Sequence, residues 1–243
     1  MTISPLQVYA GLGHPSVFIP IASTAVSLKE GMSVSCCREI LRVSSMEICV
    51  HGLTVFVRGT SRSTQRDLII EIDEPDLIGD AYQLALRLSQ HIHRDGVIIK
   101  PGETVQQGMW ILKFIADGDA LIANEFDEKS GEFKRGVSRA LTVLREQQVL
   151  CRVVGSKFNP PRLDQNIVIT EGVESGDGFR GIRYSAPDHM SGWWLLTARY
   201  EGADSAKRSL CIKDLILLRP DVIPFLAIEK GMGFALPFTW QEE

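Results

Sequence analysis

The chain predicts an α+β fold: mixed, mainly antiparallel sheets with helices packed on one face, arranged as two closely packed subdomains. Three observations lead there. Most apolar runs are of strand length and end at glycine or proline; few segments carry a helical period; and strands and helices alternate without a regular βαβ rhythm. With 243 residues, 44% hydrophobic and 23% charged, the chain can bury a substantial core as one large domain or two modest ones.

Taken in order, "SVFIPIAS" is a strand candidate, and "MEICVHGLTVFVRGT" reads as two strands meeting at His51-Gly52, where glycine tolerates the positive φ of a tight turn. "DLIIEIDEP" is a strand that ends at Pro75. In "LIGDAYQLALRLSQHIHRDG", Ala81, Leu84, Ala85, Leu88 and Ile92 recur at helical spacing, with Asp80 placed to cap the start and Gly96 to stop it. "VIIKPGETVQQGMWILKFIADGDALIANEF" then reads as strand, turn, strand, turn, strand. A second helix is expected in "KRGVSRALTVLREQQ", with Val137, Ala140, Leu141 and Leu144 on one side, and then a strand at "VLCRVVG". Two prolines make "KFNPPRLDQ" a loop. The strands "NIVIT", "FRGIRYS" and "GWWLLTARY" precede a helix at "SLCIKDLILL" that ends before Pro220, and "DVIPFLAIEKGMGF" closes the fold. The division between subdomains is placed within residues 77–97, giving 1–96 and 97–243.

Composition excludes several classes. A formal net charge of −4 argues against a nucleic-acid binder and permits a basic protein partner. The five cysteines (Cys36, Cys37, Cys49, Cys151 and Cys211) include no Cys-x-x-Cys pair, so neither a disulfide framework nor a zinc site is expected. No apolar run approaches membrane-spanning length and no signal peptide is evident, which makes the cytoplasm the expected compartment. "GLGHPS" lacks the third glycine of a dinucleotide loop, and "KPGETV" lacks the Gly-Lys-Ser/Thr of a phosphate cradle. His91 and His93 are two apart on a helix and diverge. No catalytic residue, metal or cofactor is expected. An enzyme would need a scattered arrangement involving Cys49, His51 or His189, and a small-ligand module would need an enclosed pocket.

The stretch "DHMSGWWLLTARYEG" raises the sharpest question. Neighbouring side chains of a strand point to opposite faces, so Trp193 and Trp194 diverge. Trp194, Leu196, Ala198 and Tyr200 form an apolar face, whereas Trp193, Leu195, Thr197 and Arg199 form a mixed one ending in charge. The expectation is that Trp194 faces the core and Trp193 stands on the outer face, ready to dock a macromolecule. Asp188, His189 and Met190 before it, and Arg199, Glu201 and Asp204 after it, complete the expected partner surface. Asp127 and Glu128, in the acidic run "NEFDEKSGE", supplement it.

Read together, "GIRYSAPDHMSGWWLL" and "SLCIKDLILLRPDVIPFLAIEKGMGF" resemble a bacterial family, immunity family 33 of polymorphic toxin systems. The resemblance rests on Pro187, on Ser191-Gly192-Trp193, on Pro220, Asp221, Ile223, Pro224, Phe225 and Leu226, and on Gly231 and Phe234. It covers about Cys151 to Phe234, the immunity-like region 151–234. Met190 stands where the family usually has an acidic residue. The resemblance implies a non-catalytic cytosolic protein that binds and occludes a cognate toxin, such as a nuclease delivered by a contact-dependent or type VI system. The basic cleft of such a toxin would suit acidic loops.

Overall fold

The computed structural model describes residues 6–10, 17–19, 38–43, 45–59, 66–202 and 206–236. In chain order these form β1 (Leu6–Ala10), β2 (Val17–Ile19), β3 (Arg38–Val43), β4 (Met46–His51), β5 (Thr54–Arg58), β6 (Asp67–Glu71), α1 (Ile78–Asp95), β7 (Thr104–Gln107), β8 (Trp110–Asp117), β9 (Ala120–Phe126) and β10 (Phe133–Arg135). Next come α2 (Ser138–Val153), β11 (Asn166–Thr170), β12 (Phe179–Arg183), β13 (Met190–Thr197), β14 (Lys207–Cys211), α3 (Ile212–Leu218) and β15 (Met232–Leu236). The class is α+β, with two mixed sheets. Among the described residues no helix is long and apolar enough to cross a membrane.

Tertiary contacts divide the chain into two units, residues 27–145 and residues 146–243 together with 1–26. The division placed within residues 77–97 is therefore corrected. That interval is largely taken up by α1, and the parallel pairing of β6 with β9 (Leu68 opposite Leu121) ties the chain on either side of the helix into one sheet. A linker-free boundary leaves no compositional trace, whereas a long-range strand pair is invisible to local pattern.

In the 27–145 unit the strand order is β3-β4-β5-β6-β9-β8-β7, with β10 paired to β9. Every pair is antiparallel except β6 with β9. The hairpin at His51-Gly52 forms as expected, Gly52 taking φ 59°. Helix α1 lies across β4 and β5 and buries Ala81, Leu84, Ala85, Leu88 and Ile92, while Ile48, Val55, Val57, Leu68 and Ile70 are buried in the sheet. Each large aliphatic chain removed from water contributes about 1.5–3 kcal/mol. Gly96 ends α1 with φ 63°, as expected, but Asp80 does not cap its start. A 3-10 turn at Pro75–Leu77 leads into the helix, and Asp80 instead accepts a 3.0 Å hydrogen bond from Nε of Arg145.

The other unit has the order β14-β11-β13-β12-β15-β1-β2, with only β11 and β13 parallel. Two sequence expectations change here. "VLCRVVG" is the end of α2, which runs to Val153: Gln147 and Cys151, four apart, are both buried, and that packing overrides the strand propensity of the valines. In "SLCIKDLILL" the first three residues finish β14, and the helix begins only at Ile212.

Candidate functional site

The Ser-Gly-Trp stretch opens β13 with an irregularity. Asn166 of β11 faces Met190 and Val168 faces Trp194, so four steps on β13 match two on β11. Gly192 makes this possible. It adopts φ 81°, and a Cβ built on it would fall 2.1 Å from the carbonyl oxygen of Tyr184, so only glycine fits.

Beyond this bulge the two tryptophans exchange the roles expected from the sequence. Trp193 is 0% exposed, and its Nε1 donates to the Leu226 carbonyl at 2.9 Å. Its ring meets Phe234 edge-on at 5.2 Å, and Phe234 stacks on Phe225 at 4.6 Å. Trp194 is the half-buried one, packed edge-on at 6.0 Å against Tyr184, which is 44% exposed. The expectation that Trp193 stands on the outer face is overturned. The alternation of faces is as read, but the side bearing Trp193, Leu195 and Thr197 is the buried one, closed by the segment from Pro220 to Leu226. Leu196 on the other side is also buried, so strand β13 is mostly buried on both faces and its polarity alone did not identify the inner one.

Arg183, paired with Trp193 across β12 and β13, carries the other unexpected feature. Its side chain is buried, with the guanidinium 5.7 Å over the Trp193 ring. Nε donates to Ser191 O at 3.1 Å; Nη1 donates to Ile228 O at 2.6 Å, to Leu226 O at 3.3 Å and to Asn159 O. Burial draws its pKa down to about 10, so it keeps its charge at neutral pH. Arg219 is buried too, but it grips Asp221 with two bonds and donates to the carbonyls of Val173 and Asp177.

The hairpin joining β12 to β13 projects outward. Residues 184–189 are exposed and Met190 is half-buried. The tip is braced from below: Arg162 Nη2 and Gln165 Nε2 both donate to Asp188 O, at 3.2 and 2.8 Å, and the Met190 amide closes a turn onto Pro187 O at 2.9 Å. The side chains of Asp188 and His189 are left facing solvent. Arg199 is exposed but engaged, pairing with Asp177 at 3.2 Å and Glu171 at 3.6 Å. Glu201 is exposed, and Asp204 lies outside the described residues.

Asp127 and Glu128 belong to the 27–145 unit, and both are in use. Asp127 accepts from the Ser130 hydroxyl at 2.7 Å and its amide at 3.1 Å, which hold its carboxyl below the ordinary range. Glu128 pairs with Arg139 at 3.3 Å. Cys49 and His51 stand two apart on β4 in that unit, whereas His189 belongs to the other. Among the described residues no three His, Cys, Asp or Glu side chains converge as metal ligands. A cavity of about 390 Å³ lies beside Ile169, Glu171 and Ser175, but Arg208 and Glu174 on its wall are already paired with each other.

The unit that carries this hairpin is thus a mixed sheet whose buried tryptophan and arginine support an exposed aromatic turn. Residues 146–240 match the family model of the Imm33-like domain, an immunity-protein family. The motif positions from Pro187 to Phe234 fall inside the match. No curated protein matches the chain. No solved structure does either.

Proposed function

We propose that this protein is an immunity protein that neutralises a cognate antibacterial toxin by binding and occluding it, without catalysis of its own. The match of residues 146–240 to the Imm33-like domain carries this reading. The distribution of exposed apolar surface supports it. Of the nine large hydrophobic residues exposed among the described ones, six (Val149, Val153, Phe158, Tyr184, Leu217 and Leu218) belong to the matched region. Partner interfaces draw on such residues, aromatic ones above all.

With Trp193 inside the fold, the contact surface passes to its neighbours: Tyr184 and Trp194 as the aromatic centre, with Asp188, His189 and Met190 at the hairpin tip. Arg199 and Glu201 follow the opposite end of β13 and would serve as a separate charged contact. The toxin acts in the cytoplasm, where this protein resides, and a nuclease reaching it by contact-dependent or type VI delivery fits a rim that includes the solvent-facing carboxylate of Asp188. The test is co-expression with the reading frame adjacent to this gene, then co-purification. A frame lethal alone and tolerated with this protein is the expected result. Tyr184→Ala is expected to weaken the complex by about ten-fold or more while leaving the melting temperature unchanged. A neighbouring frame that is harmless, or a product that does not co-purify, would overturn the reading.

A further inference from the structure

A buried guanidinium without a carboxylate is an unusual choice for filling space. Arg183 makes no ion pair among the described residues; the nearest compensation is four carbonyl oxygens and the face of Trp193. An apolar side chain of similar volume would avoid the desolvation of the charge altogether, and such replacements of buried ions are often neutral or stabilising. What an apolar chain could not do is gather these acceptors. They come from three separate stretches: Asn159 in the loop after α2, Ser191 at the bulge, and Leu226 with Ile228 after the Pro220–Phe225 turn.

The backbone around Arg183 closes the same ring. Gly231 N donates to the Arg183 carbonyl at 2.9 Å, Asn159 N to Ala227 O at 2.8 Å, and Tyr184 N to Gly192 O at 2.8 Å. Two of the tethered stretches border an exposed aromatic or the hairpin. Phe158, 37% exposed, precedes Asn159, and Ser191 closes the hairpin that carries Asp188 and His189. Tyr184 comes directly after Arg183 itself.

We infer that Arg183 is a positioning residue: its carbonyl-bound guanidinium holds the Phe158 segment and the 184–190 hairpin in one fixed register, so that the hairpin meets the toxin already preorganised. This rests on the immunity reading for its partner, but not for its geometry. A guanidinium presents a planar fork of donors, which an ammonium cannot reproduce at Ser191 and at Asn159, Leu226 and Ile228 together. Preorganisation of this kind lowers the ordering cost of binding and is read chiefly in the dissociation rate.

The experiment compares the full chain with Arg183→Met and Arg183→Lys. Urea melts report global stability, and amide hydrogen exchange is measured residue by residue at 157–160 and 184–192. Both variants are expected to melt cooperatively, with amides in these two segments exchanging at least ten-fold faster than in the native chain while α1 and β4–β6 are unchanged. With the product of the reading frame adjacent to this gene as the binding probe, dissociation is expected to accelerate by a similar factor, and Arg183→Lys to rescue neither readout. If Arg183→Met does not fold, Arg183→Lys alone decides. Exchange at the two segments equal to that of the native chain in a folded variant would overturn the positioning role. Faster exchange with a probe that never bound the native chain would leave the positioning role standing and remove the immunity reading instead.

Discussion

At the scale of single residues, the outcome turns on two adjacent indoles. Trp193 spends its whole surface inside the fold and supplies the donor that satisfies Leu226 O. Trp193→Ala is expected to cost about 3–5 kcal/mol, a large share of the roughly 5–15 kcal/mol typical of a folded domain. Trp193→Phe is expected to fall short of that, losing mainly the hydrogen bond to a buried carbonyl. Trp194→Ala, at the half-buried position beside Tyr184, is expected to be milder than either loss inside the core; urea denaturation of the three variants checks this order. Glu125 offers a second residue-scale prediction. It is buried, accepts the Ala140 amide at 2.7 Å at the start of α2, and burial raises its carboxyl above the ordinary 4.5. A carboxyl that holds its proton more tightly when folded adds stability below its unfolded pKa and loses that contribution as pH rises through the folded one. Glu125→Gln keeps an acceptor for Ala140 N and removes the titration. Relative to the native chain, the variant is therefore expected to gain stability between about pH 4 and pH 8, measured by urea melts at both ends. A constant difference across that range would mean that Glu125 does not titrate differently on folding.

At the scale of elements, local pattern was a good guide wherever one face is wet. The β4–β5 hairpin, α1 and its stop at Gly96 all emerge from turn chemistry and apolar spacing, because each has a solvated side that marks the other as core. The same reasoning misled at β13, which lies between β11 and β12 and is buried on most of both faces, so that alternation defined two sides without saying which was inner. It misled again at "VLCRVVG", where β-branched residues finish a helix. The exposed hairpin tip at Asp188 and His189 was legible from its polar run; the support from Arg183 was not, because its acceptors at Asn159, Ser191, Leu226 and Ile228 are scattered through much of the matched region. The bulge itself is testable. Gly192→Ala forces a non-glycine residue to φ 81° and sets its Cβ 2.1 Å from Tyr184 O. The backbone conformation alone is expected to cost about 1–3 kcal/mol, with the clash adding to it. Loss of amide protection should begin at Tyr184, whose amide bonds to Gly192 O, and a variant that melts and exchanges like the native chain would show the bulge to be dispensable.

At the scale of the whole molecule, the family match and the folding unit have different limits. The match spans residues 146–240, which include β11 to β15, whereas the sheet built from those strands also holds β1 and β2. Strand β15 lies between β12 and β1, with Val8 opposite Phe234 and Tyr9 opposite Gly233. Removing residues 1–26 would turn β15 into an edge. That edge would expose a row of backbone donors and acceptors directly beside the Phe234 cluster that holds Trp193 in place. A fragment of residues 146–243 is therefore expected to melt at lower temperature than the full chain and to self-associate, as measured by thermal denaturation and by size-exclusion chromatography with light scattering. A peptide of residues 1–26 added in trans is expected to restore the monomer by refilling the edge, and the same peptide with Val8→Pro, which removes a strand N–H, to do so less well. If the fragment alone is monomeric and melts with the full chain, pairing of β1 with β15 contributes little, and the matched region is a self-sufficient fold to which the N-terminal strands are an addition.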